Sequence, residues 1–298
     1  MEFILINDDL CARNNALKAL SKPIQFMLFS TLCFAAMNLL IKYLVHFPTF
    51  ELVFFRSLSS LVITAVVLKT NKISFRPNRP AMLVLRGIVG VTSMALFFLA
   101  AHYIPIGSAV TIRYIAPLFA AVMALFFLKE KIYPLQWIFF FAAFFGVVLI
   151  KGFSSDISLF GVSLVVISAL FSASVYIIIA KIGLDDHPLL VVFYFMLIAT
   201  LVGGIGGIFT FVVPTNEELF LLLILGVFGF FGQLFMTKAF QAGNASSIAP
   251  IKYVEVVFTV SFGIYWFGEL YTVQSFVGMF LVIFSLSLNS LYKARKAR

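Results

Sequence analysis

Arg56, Arg86, Arg113 and Lys252 are cations set inside long apolar stretches, and Glu255 follows Lys252 by three residues, on the same helical face. A charge within hydrocarbon is costly and marks a functional site by default. A guanidinium offers a planar fork to a carboxylate, and an ammonium offers a point charge, so the chemistry on offer is recognition of an anionic group. Arg113 has no acidic residue one turn away in its own segment, which favours contact with a ligand. Lys252 and Glu255 either serve that site or neutralise each other. Arg56 either meets a ligand or pairs with Glu255 across the bundle. Arg86 stands near a segment end, where snorkelling to the lipid headgroups is the expectation. Glu51 and Lys42 read as interfacial rim charges, and Glu130 and Glu269 as contacts at helix ends. Tyr114 and Tyr253 directly follow their cations. Asn38 and Gln233 are the deepest neutral polar side chains. An unpartnered buried amide costs roughly 2–7 kcal/mol, so each must bond to another helix, to water or to a ligand. The candidate site set is therefore Arg113, Tyr114, Lys252, Tyr253, Glu255, Arg56, Asn38 and Gln233.

No enzymatic constellation accompanies these residues. His46, His102 and His187 sit at segment ends without ligand spacing. Cys11 and Cys33 form neither a disulfide framework nor a metal pattern. No Walker or Rossmann glycine loop is present. The expectation is a protein that is not an enzyme and needs no cofactor or metal.

The elements that position these charges follow from composition. Of 298 residues, 62% are hydrophobic and 11% charged, against about 25% charged in a soluble domain. Mean hydropathy is +1.11. These values exclude a water-soluble globular protein and a disordered chain. Apolar stretches near 20 residues select transmembrane helices over an outer-membrane barrel. Ten spans are expected, over residues 24–45, 50–68, 81–101, 106–128, 134–150, 159–180, 189–213, 218–238, 246–267 and 271–291. Pro48, Pro77, Pro80, Pro105, Pro134, Pro188 and Pro214 punctuate the breaks. The first 23 residues lack an h-region and a cleavage site, so they read as a tail rather than a signal peptide.

The net charge of +9 has a topological reading. With the N-terminus cytoplasmic, fifteen Lys and Arg fall on inner segments, and only Lys42 and Lys151 fall outside. That bias places both termini in the cytoplasm. It also removes the reason to invoke nucleic acid, which is not expected as a partner. The outer connections are short and carry Asp156, Glu217, Glu218 and Glu269.

The chain repeats itself without a gap at an offset of 139, from Leu83 to Glu130. Gly87 falls on Gly226, Gly90 on Gly229, Ser108 on Ser247, Arg113 on Lys252, Tyr114 on Tyr253 and Glu130 on Glu269. Each half holds five spans. Because five is odd, the second half must enter the membrane from the opposite side. An inverted-topology repeat puts a binding site near the midplane between the halves and gives alternating access by rocking one bundle against another. Gly87, Gly90, Gly226, Gly229 and the run Gly203-Gly204-Ile205-Gly206-Gly207 are expected to let helices approach closely. Most Phe side chains are expected to face lipid, with a few lining a cavity.

Several stretches resemble the EamA-like families of the drug/metabolite transporter superfamily. They are Phe50-Glu51-Leu52-Val53-Phe54-Phe55-Arg56, Leu85-Arg86-Gly87, the run from Tyr114 to Glu130, Ala249-Pro250-Ile251-Lys252-Tyr253-Val254-Glu255, and Phe267-Gly268-Glu269. The resemblance spans about 24–292 and looks nearest to the branch that contains bacterial S-adenosylmethionine uptake transporters. It implies an all-α integral membrane protein of ten helices in two five-helix repeats, over 24–151 and 159–292. Tails of 1–23 and 293–298 flank the repeats. It further implies that the first four helices of each half surround a central cavity while the fifth stands aside. The expected function is secondary transport of a small, carboxylate-bearing organic solute across a bacterial-type inner membrane, with S-adenosylmethionine or amino acids as candidates. The alternative is a membrane scaffold or lipid-translocating protein without an aqueous cavity, whose mark would be fully paired charges. The solute and the lipid bilayer are the expected partners; a homodimer is left open. If transport is proton-coupled, Glu255 is the carboxylate for it.

Overall fold

The computed structural model describes residues 2–44, 46–100, 103–104, 109, 112–151, 158–267 and 273–296. The expectations for His102, Asp156 and Glu269 fall outside them. Among the described residues all regular structure is helical: α1 (Glu2–Tyr43), α2 (Thr49–Thr70), α3 (Pro80–Ala100), α4 (Ala116–Phe127), α5 (Pro134–Lys151), α6 (Leu159–Ile182), α7 (Pro188–Gly207), α8 (Asn216–Ala242), the short α9 (Ala245–Ile248), a 3₁₀ segment (Ala249–Tyr253), α10 (Val254–Phe267) and α11 (Val273–Lys296).

Among the described residues seven stretches are long and apolar enough to cross a membrane, beginning with Lys22–Ile41 inside the longer α1. The other three expected spans correspond to shorter apolar helices, Ala116–Phe127, Pro134–Leu149 and Phe276–Asn289. Two expected spans are interrupted. Around Arg113, the described residues 112–113 are helical, Tyr114 and Ile115 form a turn, and α4 begins at Ala116. Pro117 explains this: it has no N–H to give the Arg113 carbonyl, and its ring crowds that oxygen. In the second half Pro250 opens the 3₁₀ segment that carries Lys252 and Tyr253. Both candidate cations thus stand beside irregular backbone.

The main helix pairings are α1 with α8, α3 with α6, α2 with α7, and α5 with α11. Lipid supplies no hydrophobic drive between helices, so small residues and polar links hold them together. A Cβ on Gly203 would lie 2.7 Å from the Phe54 backbone nitrogen and 3.0 Å from the Phe50 carbonyl, so only glycine admits α2 to α7. On Gly226 it would lie 2.2 Å from the Ser59 Cβ. Ser60 donates to the Gly226 carbonyl (2.6 Å) and Ser30 to the Gly232 carbonyl (2.8 Å), tying α2 and α1 to α8. Ser93 and Ser168 each donate to the other's carbonyl across α3 and α6 (2.8 and 2.7 Å). Gln136 donates to Asn289 (3.1 Å) between α5 and α11.

Candidate functional site

Inside this bundle lies a cavity in which the centre of a water-sized sphere can move through about 140 Å³. About one sphere's volume, ~10–15 Å³ by that measure, already holds a water, so there is room for a small solute. Its wall comes from α1, α2, α3, α6, α7, α8, the start of α4 with the turn before it, and the 3₁₀–α10 junction. None of the lining residues comes from α5 or α11, which pack on each other.

Seven of the eight candidate residues line the cavity: Asn38, Arg56, Arg113, Tyr114, Gln233, Lys252 and Glu255. Tyr253 does not. It is fully buried behind the wall, its ring 6.1 Å from that of Tyr114 in an edge-on contact between the halves. Phe34, Phe97, Phe98 and Phe195 are the phenylalanines that face the cavity, whereas Phe126, Phe209, Phe220 and Phe280 stand on the outer surface.

The single carboxylate lining the cavity among the described residues is already engaged. Glu255 Oε1 accepts from the Asn38 amide (3.0 Å), and the Lys252 ammonium lies 3.2 Å from Oε2, an ion pair rather than an aligned hydrogen bond. Lys252 also sits 4.4 Å above the Phe34 ring. Its counterpart in the first half, Arg113, sits 4.4 Å above the Phe97 ring. Among the described residues no carboxylate pairs with Arg113. Arg56 does not reach Glu255 either; it is 6% exposed and its Nη1 donates to the Met94 sulfur (2.9 Å), a weak acceptor.

Arg86 corrects the expectation of snorkelling. It is 1% exposed, it points into the cavity, and its Nη2 donates to the Gln233 carbonyl oxygen (2.7 Å) while the guanidinium covers the Phe195 ring at 3.8 Å. Its place near the start of α3 suggested a headgroup contact. The helix is rotated so that this position faces the bundle. The Leu85-Arg86-Gly87 motif was the available signal. Glu51 also departs from the expected rim charge: it is fully buried and accepts from the Val212 N–H (3.0 Å). Glu130 does make a helix-end contact, accepting from the Ala245 N–H (2.7 Å), the Ser246 N–H (3.0 Å) and the Ser246 hydroxyl.

The profile of the EamA-like transporter family matches residues 21–152 and again 159–291. The chain belongs to the EamA-like transporter family. As an EamA-like protein it is a multi-pass membrane transporter. Among its relatives is the pseudopaline exporter CntI of Pseudomonas aeruginosa, 28% identical over 271 residues, covering 90% of this chain and 95% of the relative. The S-adenosylmethionine uptake transporter of Rickettsia bellii is 29% identical over 291 residues, covering 95% and 98%. Human solute carrier family 35 member G1 is 28% identical over 279 residues, covering 87% and 76%. One crystal structure superposes with a TM-score of 0.82 at 14% identity, over 92% of this chain and 98% of that one, a likeness of fold.

Proposed function

We propose that this EamA-like protein is a secondary transporter that moves a small, carboxylate-bearing organic solute by alternating access across a bacterial-type inner membrane. The observation that carries the substrate class is the charge of the cavity: Arg56, Arg86, Arg113 and Lys252 face it, against Glu255 alone. A scaffold or lipid-translocating protein would pair its buried charges. Here Arg113 has no carboxylate among the described residues, and the buried Nε atoms of Arg56 and Arg86 have no hydrogen-bond partner. S-adenosylmethionine stays a candidate by one relative's name, and uptake and export are both represented among the relatives.

Two halves of inverted topology would provide the rocking motion. The helix pairings support that reading, because exchanging each helix with its counterpart in the other half turns the α1–α8 pair into the α6–α3 pair and leaves α2–α7 unchanged. The fifteen-to-two bias of basic residues supports cytoplasmic termini; a periplasmic reporter active at the C-terminus would refute it.

The test of transport is saturable uptake with counterflow in proteoliposomes, which a channel or scaffold does not give. A cysteine at Ser172, which lines the cavity, should react with a polar thiol reagent in a chain lacking Cys11 and Cys33. Protection at that position together with non-saturable flux would overturn the proposal.

A further inference from the structure

We infer that the solute carries at least two anionic groups, carboxylates or phosphates, held at two subsites of the cavity. This deepens the transport reading above and rests on it. One subsite is the Arg56–Arg86 pair; the other is Arg113.

The argument starts from what each cation already has. Lys252 is answered by Glu255 at 3.2 Å. The other three lining cations have no carboxylate among the described residues, so the wall holds an excess of three positive charges. Aromatic faces partly serve Arg86 and Arg113, at 3.8 and 4.4 Å. Neutral acceptors take one N–H of Arg86 (Gln233) and one of Arg56 (Met94). What is left over is specific: Arg86 Nε and Nη1 and Arg56 Nε are buried without a partner. A guanidinium matches carboxylate and phosphate oxygens two at a time. Burying such donors unpaired is costly, and so is holding like charges together in a medium of low dielectric. A monoanion would answer the Arg56–Arg86 pair or Arg113 and leave the other.

The two glycines matched by the 139-residue offset bear on the same point. A Cβ on Gly90 would lie 2.8 Å from Arg86 Nη1, and one on Gly229 would lie 3.1 Å from Arg56 Nε. Each glycine makes room beside one of the two buried guanidiniums, at an atom left without a protein partner. Local packing of the guanidiniums is thus built into both halves, and these donors are left without a protein partner. Arg113 enters the same cavity from a different element, the segment before α4, beside Phe97.

The experiment is a melting and affinity series on purified protein with five probes at matched ionic strength in sodium chloride. Butyrate and succinate have the same chain length and differ by one carboxylate. Citrate adds a third, phosphoenolpyruvate replaces one by phosphate, and S-adenosylmethionine lacks a net negative charge. A ligand that binds the folded state raises its melting temperature. Succinate, citrate or phosphoenolpyruvate should bind about 10- to 100-fold more tightly than butyrate, the worth of one further charge-assisted pair. Preference between citrate and phosphoenolpyruvate separates carboxylate from phosphate as the second group. Arg86→Gln should erase most of that ratio without lowering the melting temperature of the ligand-free protein, since losing the Gln233 and Phe195 contacts is offset by removing a buried charge that no carboxylate answers. Should Arg86→Gln fail to fold, Arg56→Lys, which keeps the charge and loses the fork, should reduce the same ratio. The inference is overturned if butyrate or S-adenosylmethionine binds as tightly as the best multiply charged probe, or if no multiply charged probe shifts the melting curve. It is also overturned if Arg86→Gln lowers stability and leaves the ratio intact. Saturable counterflow of a monoanion or a cation would sink the two-anion rule and leave transport standing, whereas no saturable uptake of any solute would sink both.

Discussion

Replacing Glu255 by Gln should leave the Lys252 ammonium inside the bundle without its counter-charge. The side chains of the pair are 13% and 10% exposed, with 3.2 Å between them. Breaking a fully buried pair by removing one partner costs about 3–5 kcal/mol. Here the pair is not fully buried, and the Phe34 face at 4.4 Å retains about 1 kcal/mol of attraction. The Gln carbonyl can still accept from Asn38, so that hydrogen bond is not lost. The expected loss is therefore about 2–4 kcal/mol. For a chain of this size that is a fall of roughly 5–15 °C in melting temperature. The double variant Glu255→Gln with Lys252→Met removes both charges and keeps their volumes, so it should melt above the single variant and near the wild type. The assay is thermal melting of the four proteins of the cycle in one detergent, read as a coupling energy. A single variant within about 2 °C of wild type, or a double variant no more stable than the single, would refute the view that these groups neutralise each other.

Arg113→Lys should weaken binding of the transported anion about 10- to 100-fold, because the fork is lost and the charge kept; calorimetry with the best-binding probe measures it, and an unchanged dissociation constant with a lowered melting temperature would assign Arg113 a packing role. Glu130→Gln removes the charge from the group that holds the Ala245 and Ser246 N–H groups. It should weaken that contact by about 1 kcal/mol and raise the labelling rate of a cysteine at Ile248 about fivefold, whereas an unaltered rate would exclude the Glu130 contact as what holds α9 in place. His187 accepts from the Leu189 N–H (3.3 Å) at the start of α7. Partial burial and the nearby Lys238 ammonium hold its imidazole below the usual value. A depressed histidine favours the neutral form in the fold, so its contribution to stability is present above about pH 6.5 and fades as the pH falls below it. His187→Asn, which keeps a capping oxygen, should flatten that part of the melting profile; a profile identical to wild type would remove His187 as its cause.

The buried charges were legible in the sequence because a charge inside 20 apolar residues has few bland explanations, and the four residues chosen on that ground, Arg56, Arg113, Lys252 and Glu255, meet in one cavity with three of the four neutral candidates, Asn38, Tyr114 and Gln233. What the sequence withheld was rotation about the helix axis. Arg86 lies near the start of α3, a depth at which a long side chain can reach water from most of the helix surface. Only the packing of α3 against α6 and α7 turns it inward to Gln233 and Phe195. Glu51 departs from its expected place for the same reason: its position along α2 suits a rim, but its face meets the chain that follows α7. Tyr253 failed in the opposite direction. It neighbours Lys252 on a 3₁₀ segment, where successive residues point about 120° apart. If Lys252 faces the cavity, its neighbour must face the wall, and Pro250 was the sign that the segment would not be a regular helix. Pro117 gave the same warning for Tyr114 and Ile115. Depth in a membrane can thus be counted along a chain, but facing depends on which neighbour a helix meets. The glycines that decide the neighbours, such as Gly203 against Phe54 and Gly226 against Ser59, state only that some backbone comes close, without naming it.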